Sequence, residues 1–171
     1  MTRAGFSGTI GSMKDVTAQH ERSSEAQQLW LRRVDTICRE RGVQITPLRR
    51  QILEILAKSE APIGSYAVLD ELSRVQNRPV APPTVYRTLE FLVENGFIIK
   101  VASRNAFALC DTPGHDHHGI LLICQRCGKS DEVESARLDA VLLETAAAAG
   151  FRLQHQVVEI EGLCERCAEA A

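Results

Sequence analysis

The amino-acid sequence predicts an α+β fold in which a helical first part is followed by two small groups of strands. Apolar residues recur at helical spacing through the first hundred residues, short strand-like segments follow, and two Cys-x-x-Cys pairs stand in the last third. The charge divides the chain similarly: residues 1–109 carry 15 Lys and Arg against 11 Asp and Glu, whereas residues 110–171 carry 5 against 11. A mildly basic first part suggests nucleic acid only weakly, because many proteins carry as much charge.

The N-terminal segment, residues 1–22, is predicted to be a flexible tail. It begins with the Gly-, Ser- and Thr-rich run MTRAGFSGTIGS, which has no apolar periodicity and lacks the charged-then-apolar layout of a signal peptide. No apolar run approaches the ~18 residues of a membrane-spanning helix. We therefore expect a cytoplasmic protein without a membrane segment.

Two amphipathic helices are predicted next. The first covers residues 25–41 and ends at Gly42, and the second follows the N-cap residue Thr46 with Pro47 at its first position. Their apolar stripes consist of Trp30, Val34, Ile37, Cys38, Leu48, Ile52, Ile55 and Leu56. Cys38 is interpreted as a small buried hydrophobe rather than a reactive residue.

Two further helices complete the helical part. The third covers residues 65–75, with Val68, Leu72 and Val75 facing inward. A residue before proline avoids the helical conformation, so Pro82 is expected to stay extended and Pro83 to open the fourth helix, which ends at Gly96. The apolar stripe of this helix is Val85, Leu89, Leu92 and Val93.

The fourth helix carries the predicted DNA-reading residues. The segments FIIKV and AFALC, joined by ASRN, form two short strands, and helices followed by such a hairpin are the layout of a winged helix-turn-helix. In that layout the N-terminal residues of the last helix reach base edges in the major groove. Thr84, Tyr86 and Arg87 are therefore candidate DNA contacts, with an ordinary exposed helix face as the alternative.

Arg49 and Arg50 are further candidate DNA contacts. They lie in the first turn of the second helix, where the helix dipole favours acids over cations. A nearby phosphate would explain these arginines, and a plain solvated face would explain them equally well.

The second part of the chain is predicted to contain three strands and one helix. Residues 119–124 form a strand that runs into the first cysteine pair, and residues 130–134 form a return strand. Residues 151–162, FRLQHQVVEIEG, form a long strand leading to the second pair. Between them lies a helix, residues 135–149, whose inward face is Leu138, Val141, Leu142 and Ala146.

The two Cys-x-x-Cys pairs indicate a structural zinc site. Nothing in the sequence suggests secretion, which argues against a disulfide framework, and a thioredoxin-like dithiol needs a single pair opening a helix. Two pairs on tight turns can bring four thiolates to one tetrahedral Zn²⁺ at about 2.3 Å. The predicted ligands are Cys124, Cys127, Cys164 and Cys167.

A second candidate metal site lies in the segment CDTPGHDHHG. Its thiol, carboxylates and imidazoles are Cys110, Asp111, His115, Asp116, His117 and His118. Zn²⁺ suits such a donor set, and Glu132 on the neighbouring strand is available to complete a tetrahedron. His155 is interpreted as a buried histidine or, alternatively, as a further ligand, and a metal-free polar loop is the alternative for the whole segment.

The combination of PPTVYRTLEFLVENGFI, a Cys/His loop and two Cys-x-x-Cys pairs resembles the ferric-uptake-regulator family, and most closely its zinc-uptake regulators. The specific segments are TPLRRQIL, TVYRTLEFL, CQRCG and GLCERC, and the resemblance covers residues 25–167. It implies a homodimeric repressor that binds AT-rich operator DNA when its regulatory metal site is filled. Residues 23–104 would then be the winged-helix DNA-binding domain, and residues 105–171 the dimerisation and metal-binding domain.

The resemblance also implies roles for individual residues. It places structural zinc on the paired cysteines and DNA reading on Tyr86 and Arg87. The implied regulatory zinc ligands are Cys110, His117 and Glu132. We add His115 as the fourth ligand, and His118 and His155 are further candidates. Each subunit would hold one structural and at least one regulatory Zn²⁺.

One position departs from the family pattern. Some zinc regulators have a histidine ligand where this chain has Ile99, so His115 or His118 would substitute for it, or the site would be built differently. The sulfur of Cys110 favours zinc over iron or manganese. A metal held between the wing and the following loop would select the angle at which both recognition helices of a dimer meet the DNA.

Glu71 and Arg74, on the exposed side of the third helix, could pair between two dimers on a longer operator. The simpler interpretation is a local i, i+3 pair.

Three other functions remain to be distinguished. An iron- or peroxide-responsive regulator of the same family would differ in metal selectivity. A zinc enzyme would need an open coordination position, and because the sequence contains no HExxH motif, paired carboxylates or nucleophile constellation, we expect no enzymatic activity. A protein-interaction module with purely structural zinc predicts that Cys110→Ser leaves DNA binding unchanged.

Overall fold

The predicted α+β architecture is confirmed by a computed structural model that describes residues 24–114, 119–154 and 156–170. Four helices and a three-stranded sheet form the first part, and a second three-stranded sheet with two helices forms the remainder. The predicted tail lies outside the described residues. Among the described residues, no helix is both long and apolar enough to cross a membrane.

The four N-terminal helices are α1 (Ser24–Arg41), α2 (Pro47–Ala57), α3 (Ser65–Gln76) and α4 (Pro82–Glu94). The side chain of Thr46 caps α2 by accepting a hydrogen bond from the Arg49 N–H, as its sequence position indicates. Helix α4 begins at Pro82, one residue earlier than predicted, and Ala81 takes the extended conformation instead. Both prolines fit there because the first four N–H groups of a helix have no intrahelical acceptor.

The helices enclose the main hydrophobic core. Its fully buried members include Val34, Ile52, Leu53, Leu56, Val68, Leu72, Val85, Leu89, Leu92 and Phe97. The prediction was wrong for Val75, which is 51% exposed. Val75 lies near the C-terminal end of α3, and Asn77 turns the chain away there in the left-handed conformation.

The first sheet contains β1 (Ile63–Gly64), β2 (Ile98–Val101) and β3 (Ala106–Leu109) in the order β1-β3-β2. All pairings are antiparallel, and β1 was not predicted because two residues carry no periodicity. A 3₁₀ turn, Ala102–Arg104, joins β2 to β3. We call this 3₁₀ turn the wing turn, and we call β2, the wing turn and β3 together the wing. Because β3 pairs with both other strands, we propose that the winged-helix domain extends to Leu109, past the boundary predicted at residue 104.

The second sheet contains β4 (Ile120–Cys124), β5 (Ser130–Val133) and β6 (Val158–Gly162) in the order β5-β4-β6. Strand β6 runs parallel to β4, and the connection includes α5 (Ala136–Ala148); α6 (Glu165–Glu169) follows β6. The long strand predicted for residues 151–162 is wrong for residues 151–154 and 156–157, which are not in a strand. Strand β4 begins at Ile120, which pairs with Val158, so the earlier residues have no β4 neighbour to bond.

The predicted inward face of α5 is only partly buried in the single chain, where Leu138, Leu142 and Ala146 are half-buried. No residue of α5 is buried, and Val141 is 49% exposed. The described part of this chain therefore covers the apolar stripe only in part and leaves Val141 exposed.

The wing packs against the second sheet. Val101 and Ala106 of the wing form a buried cluster with Leu121 and Ile123 of β4, and half-buried Ile99 packs against it. We call this contact the joint. It brings the residues that follow β3 close to β5.

Candidate metal centre and nucleic-acid interface

The four predicted structural ligands meet at one point. The Sγ atoms of Cys124, Cys127, Cys164 and Cys167 all lie within 4.8 Å of one another, and those of Cys127 and Cys164 are 3.7 Å apart. Four sulfurs at about 2.3 Å from a tetrahedral Zn²⁺ would be about 3.8 Å apart. We call these residues the four-cysteine cluster, and it fits zinc in both donor type and spacing.

A tight turn positions the first cysteine pair. The Gly128 N–H donates to the Cys124 carbonyl at 2.9 Å, and Gly128 has φ +77°, which an L side chain rarely adopts. The predicted turn was wrong for the second pair, because Cys164 is the N-cap of α6 and Cys167 lies inside this helix. In the second pair, the Cys167 N–H donates to the Cys164 carbonyl at 2.9 Å. Arg126 joins the pairs by donating from Nη1 to the Cys167 carbonyl at 2.6 Å.

The pKa values of the thiols in the four-cysteine cluster indicate that full ionisation needs a bound cation. Burial disfavours the thiolate of Cys124, but N–H groups of Cys127, Cys164 and Arg126 outweigh it and lower the pKa of this thiol to about 5. Burial and hydrogen bonds with the other thiols raise the pKa of Cys167 to about 12. Without a cation, four thiolates cannot coexist here, because each negative charge disfavours the next.

A second potential donor pair spans the joint. Cys110 directly follows β3 and is buried, and its Sγ lies 3.8 Å from Oε2 of Glu132 on β5. The Cys110 thiol also donates to the Thr112 carbonyl oxygen at 2.8 Å. We call Cys110 and Glu132 the Cys110–Glu132 pair. One donor follows the wing and the other belongs to the second sheet, so a shared ion would bind both parts of the chain.

Burial and the neighbouring Glu132 charge raise the pKa of the Cys110 thiol to about 12. A thiol with a nearby carboxylate stays protonated near neutral pH unless a cation neutralises the site. A soft sulfur with a carboxylate oxygen fits Zn²⁺, while iron and manganese sensors favour nitrogen and oxygen donors.

The remaining positions considered for the regulatory zinc site are the candidate histidine ligands and Ile99. His115, His117, His118 and His155 lie outside the described residues. Ile99 packs into the apolar joint and offers no donor atom.

Gly119 has a role that sequence reasoning missed. A Cβ at this position would lie 2.8 Å from Cγ and 2.9 Å from Oε1 of Glu132. These separations are shorter than carbon atoms normally tolerate, so only glycine leaves Glu132 in its observed position. In the sequence, Gly119 carries no signal beyond its place before a strand.

The N-terminal part of α4 presents the predicted DNA-reading residues to solvent. Thr84, Tyr86 and Arg87 are exposed, and the Tyr86 hydroxyl lies 3.4 Å from Oγ of Ser65 at the start of α3. Tyr66, which follows Ser65 in the chain, is 70% exposed. Sequence reasoning missed Tyr66 because a single tyrosine at a helix start has no distinguishing pattern.

A groove of about 750 Å³ opens beside these residues. Its lining includes Thr46 and Pro47 at the start of α2, Ala81 and Thr84 at the start of α4, and Arg78. Two helix N-termini and an exposed guanidinium favour an anion such as a DNA phosphate.

Arg49 and Arg50 make contacts within the chain. The Arg49 guanidinium lies 3.2 Å from the centroid of the Phe91 ring, and Arg50 pairs with Asp35 of α1. Both side chains are partly buried, so these contacts link α2 to its neighbours. Glu71 and Arg74 form the local i, i+3 pair at 2.6 Å.

Comparisons with known proteins agree with this architecture. The model of the family described as "Ferric uptake regulator family" matches residues 40–161. The "Zinc uptake regulation protein" of Escherichia coli (strain K12) is 38% identical over 142 residues, which cover 81% of each chain. The "Peroxide operon regulator" of Bacillus subtilis (strain 168) is 33% identical over 132 residues, 77% of this chain and 88% of the relative.

Solved structures show the same relation. A structure described as "Zinc Uptake Regulator Complexed With Zinc AND DNA" matches with TM-score 0.75 and 36% identity, covering 87% of this chain and 98% of that one. Holo XcZur matches with TM-score 0.75 and 39% identity, covering 84% and 99%. Apo XcZur matches at 38% identity and covers the same shares of the two chains, but its TM-score is only 0.50. Because identity and coverage barely differ, the chain's conformation is closer to the holo form.

Proposed function

The chain belongs to the ferric uptake regulator family, and from this premise we propose that it is a zinc-responsive transcriptional repressor that controls zinc-uptake genes. The observation that carries the proposal is the Cys110–Glu132 pair, in which a sulfur and a carboxylate from two parts of the chain lie 3.8 Å apart at the joint. The similarity to zinc uptake regulators, including one solved with zinc and DNA, supports zinc and operator DNA as the ligands.

Two kinds of zinc site are proposed per subunit, one structural and at least one regulatory. The four-cysteine cluster would hold the structural ion and keep the two ends of the second sheet together. Cys110 and Glu132, with His115 and His117, would hold the regulatory ion. His118 and His155 remain candidates for a further ligand, because Ile99 offers no donor atom. Bound Zn²⁺ would supply a tetrahedral centre for these donors.

The regulatory ligands would set the orientation of the DNA-reading helix. Cys110 and Glu132 would bring the end of the wing and β5 together, which selects one orientation of α4 relative to the second sheet. In a dimer, that orientation would place Thr84, Tyr86 and Arg87 of both subunits in successive major grooves, with Tyr66 alongside. Arg49 and Arg50 stay candidate phosphate contacts, and they would have to leave Phe91 and Asp35 to reach DNA.

A homodimer is proposed because α5 exposes its apolar stripe. None of its residues is buried, although Leu138, Val141, Leu142 and Ala146 lie on one side. A second copy would cover this stripe.

Exposed Arg74 pairs locally with Glu71, and two dimers on one operator would require that pair to exchange partners. We place the protein in the cytoplasm with its operator, and assign it no catalytic activity.

The test is a fluorescence-anisotropy titration of an AT-rich palindromic duplex, selected from a random pool by the zinc-loaded protein. Free Zn²⁺ is buffered, the structural zinc stays in place, and wild type is compared with Cys110→Ser. We expect wild type to bind only as zinc rises, and the variant to need at least about tenfold more zinc, because one of its ligands is lost. Cys38→Ala is the control, since Cys38 is a buried core thiol on α1 and is not one of the proposed zinc ligands.

Three outcomes would contradict the proposal. Equal binding by wild type and Cys110→Ser would indicate constitutive DNA binding. Recovery by Fe²⁺ or Mn²⁺ but not by Zn²⁺ would indicate an iron- or peroxide-responsive regulator. Failure to select any duplex would favour a protein-interaction module.

A further inference from the structure

Strand β6 holds the wing turn through a carboxylate that none of the proposed metal or DNA contacts uses. Oε1 of Glu159 accepts a hydrogen bond from the Ala102 N–H at 2.6 Å, and Oε2 accepts one from the Ser103 N–H at 3.0 Å. These N–H groups begin the 3₁₀ turn Ala102–Arg104, where the helix itself offers no acceptor. Glu159 therefore caps the wing turn from the second sheet.

A second carboxylate of β6 extends this contact. Oε1 of Glu161 accepts hydrogen bonds from Nη2 and Nε of Arg104 at 3.2 and 3.3 Å. Its Oε2 accepts one from Nε2 of Gln125 at 3.2 Å, and Gln125 lies between the first two cysteines of the four-cysteine cluster. All three residues of the wing turn are thus bound to β6. We call Glu159 and Glu161 the wing clamp.

The strand register places the wing clamp opposite the Cys110–Glu132 pair. Leu121 of β4 is paired with Glu132 on one side and with Glu159 on the other. Paired residues of neighbouring strands point to the same face of a sheet, and strands lie about 4.8 Å apart. Both carboxylates therefore flank Leu121 on the face that packs against the wing, about 10 Å apart.

The space between the two edges is incompletely filled. A cavity of about 350 Å³ lies between the wing and the second sheet, and its lining includes Ile99, Lys100, Gly119, Glu132 and Glu159. Atoms that border an unfilled space lose packing contacts on that side. The apolar joint therefore does not fill the space between the wing and the second sheet, and polar contacts lie at its two edges.

The ionisation of Glu159 agrees with its role as a cap. Burial on its own would raise the pKa of this carboxyl, but hydrogen bonds from Ser103 and Ala102 outweigh it and lower the pKa. The carboxylate is therefore charged at neutral pH, where it is the stronger acceptor for two N–H groups.

We propose that Glu159 and Glu161 are positioning residues that hold the wing turn in the joint and thereby set the orientation in which the regulatory site closes. This inference rests on the proposed function. It assigns the wing turn to the contact between the two parts of the chain rather than to DNA. The wing clamp and the regulatory ligands then favour the same orientation, so each strengthens the effect of the other.

The first variant is Glu159→Gln in the full-length, zinc-loaded protein. The amide keeps one acceptor oxygen but turns its NH₂ group toward the second N–H, so the capping is halved. We expect the Ala102 and Ser103 amides to exchange with D₂O at least about tenfold faster. Operator affinity at saturating zinc should fall about five- to tenfold, with dimer mass and structural zinc content unchanged. Glu144→Gln is the control, because Glu144 is exposed on α5 away from the joint.

A charge exchange then separates a clamp from a DNA contact. Arg104→Glu and Glu161→Arg should each weaken operator binding, and the double variant should recover to within about threefold of wild type, because the pair forms again. If Arg104 instead binds phosphate, the double variant stays as weak as Arg104→Glu alone, which overturns the proposal.

Two further outcomes would overturn it. Unchanged amide exchange in Glu159→Gln would show that the cap does not hold the wing turn, and faster exchange with unchanged operator affinity would show that it has no positioning role. A wild-type chain that ignores zinc would contradict the proposed function instead, while the amide exchange still reports on the clamp.

Discussion

At the scale of single residues, the geometry of the candidate regulatory site depends on one glycine. Gly119 lies against Glu132, whose carboxylate the structure brings to within 3.8 Å of the Cys110 sulfur. Any side chain at position 119 would occupy the space of the Glu132 side chain. A ligand can thus be displaced from a neighbouring position that has no donor atom itself.

The prediction concerns Gly119→Ala. The new Cβ would lie 2.8 Å from Cγ of Glu132 and 3.2 Å from the Val133 carbonyl oxygen. The flexible Glu132 side chain should move first, so we expect zinc affinity at the regulatory site to fall about 10- to 100-fold, with little change in thermal stability. Competition against a fluorescent zinc chelator measures the affinity.

The control is Gly162→Ala, because a Cβ at Gly162 meets nothing within 4 Å. Equal zinc affinity for Gly119→Ala and the control would show that Glu132 is not a ligand. A large loss of thermal stability would show that the backbone moves rather than the Glu132 side chain.

At the scale of elements, helix α1 anchors the loop that follows the wing. Nε1 of Trp30 donates to the Cys110 carbonyl at 2.7 Å in a buried hydrogen bond. Arg41, at the other end of α1, donates to the Gly114 carbonyl. The segment between Cys110 and Gly114 is therefore held at both ends by one helix of the first part, which gives the buried Cys110 a defined position.

The prediction at this scale concerns Trp30→Phe. Phenylalanine keeps an aromatic ring but leaves the Cys110 carbonyl without its donor. We expect the free energy of unfolding to fall by about 1–3 kcal/mol, the usual cost of a buried polar group without a partner. Urea unfolding is followed by far-UV circular dichroism, because Trp30 is the only tryptophan.

Leu29→Ala on the same helix is the control, because Leu29 is 54% exposed. All proteins are compared at one concentration and one zinc loading, since both shift apparent stability. An unfolding midpoint for Trp30→Phe equal to that of the control would refute the anchoring role.

At the scale of the whole molecule, the second part of the chain has an exposed apolar surface. Helix α5 has no buried residue, and Val141, Leu143, Phe151 and Val157 are each about half exposed or more. A groove of about 640 Å³ follows α5 and the segment before β6, lined partly by Leu142, Ala146 and Phe151. Such a surface is costly in water, and a second copy of the chain would remove it.

The prediction at this scale concerns Val141→Glu, which places a charge in the apolar stripe of α5. The residue is 49% exposed in the single chain, so the fold should tolerate the change. We expect the mass to fall to that of a monomer and operator binding to weaken at least about tenfold, because a charge buried in an interface lacks a partner. Sedimentation equilibrium measures the mass.

Ala140→Glu is the matched control, since Ala140 lies on the opposite side of α5 and is exposed. A variant Val141→Glu that remains a dimer would show that another surface mediates self-association.

Local sequence patterns predicted most of the elements. Thr46 with Pro47, the stripes of α1, α2 and α4, and the first Cys-x-x-Cys turn act over a few residues, so their physics can be read along the chain. The errors occurred where contact with a neighbouring element decides the structure of a segment. Residues 151–154 and 156–157 have the composition of a strand, but the pairing of β4 with β6 begins only at Ile120 and Val158.

The sequence by itself determined the α+β class, the order of all elements except β1 and α6, and which four cysteines form the cluster, because helix periodicity, capping and zinc-ligand spacing are local properties. Only the tertiary structure decided that Cys110 meets Glu132, that Gly119 makes room for it, and that Glu159 caps the wing turn. The contacts of Cys110 with Glu132 and of Ala102 with Glu159 join residues 22 and 57 positions apart. Their formation depends on how the wing packs on the second sheet, which no short stretch of sequence encodes.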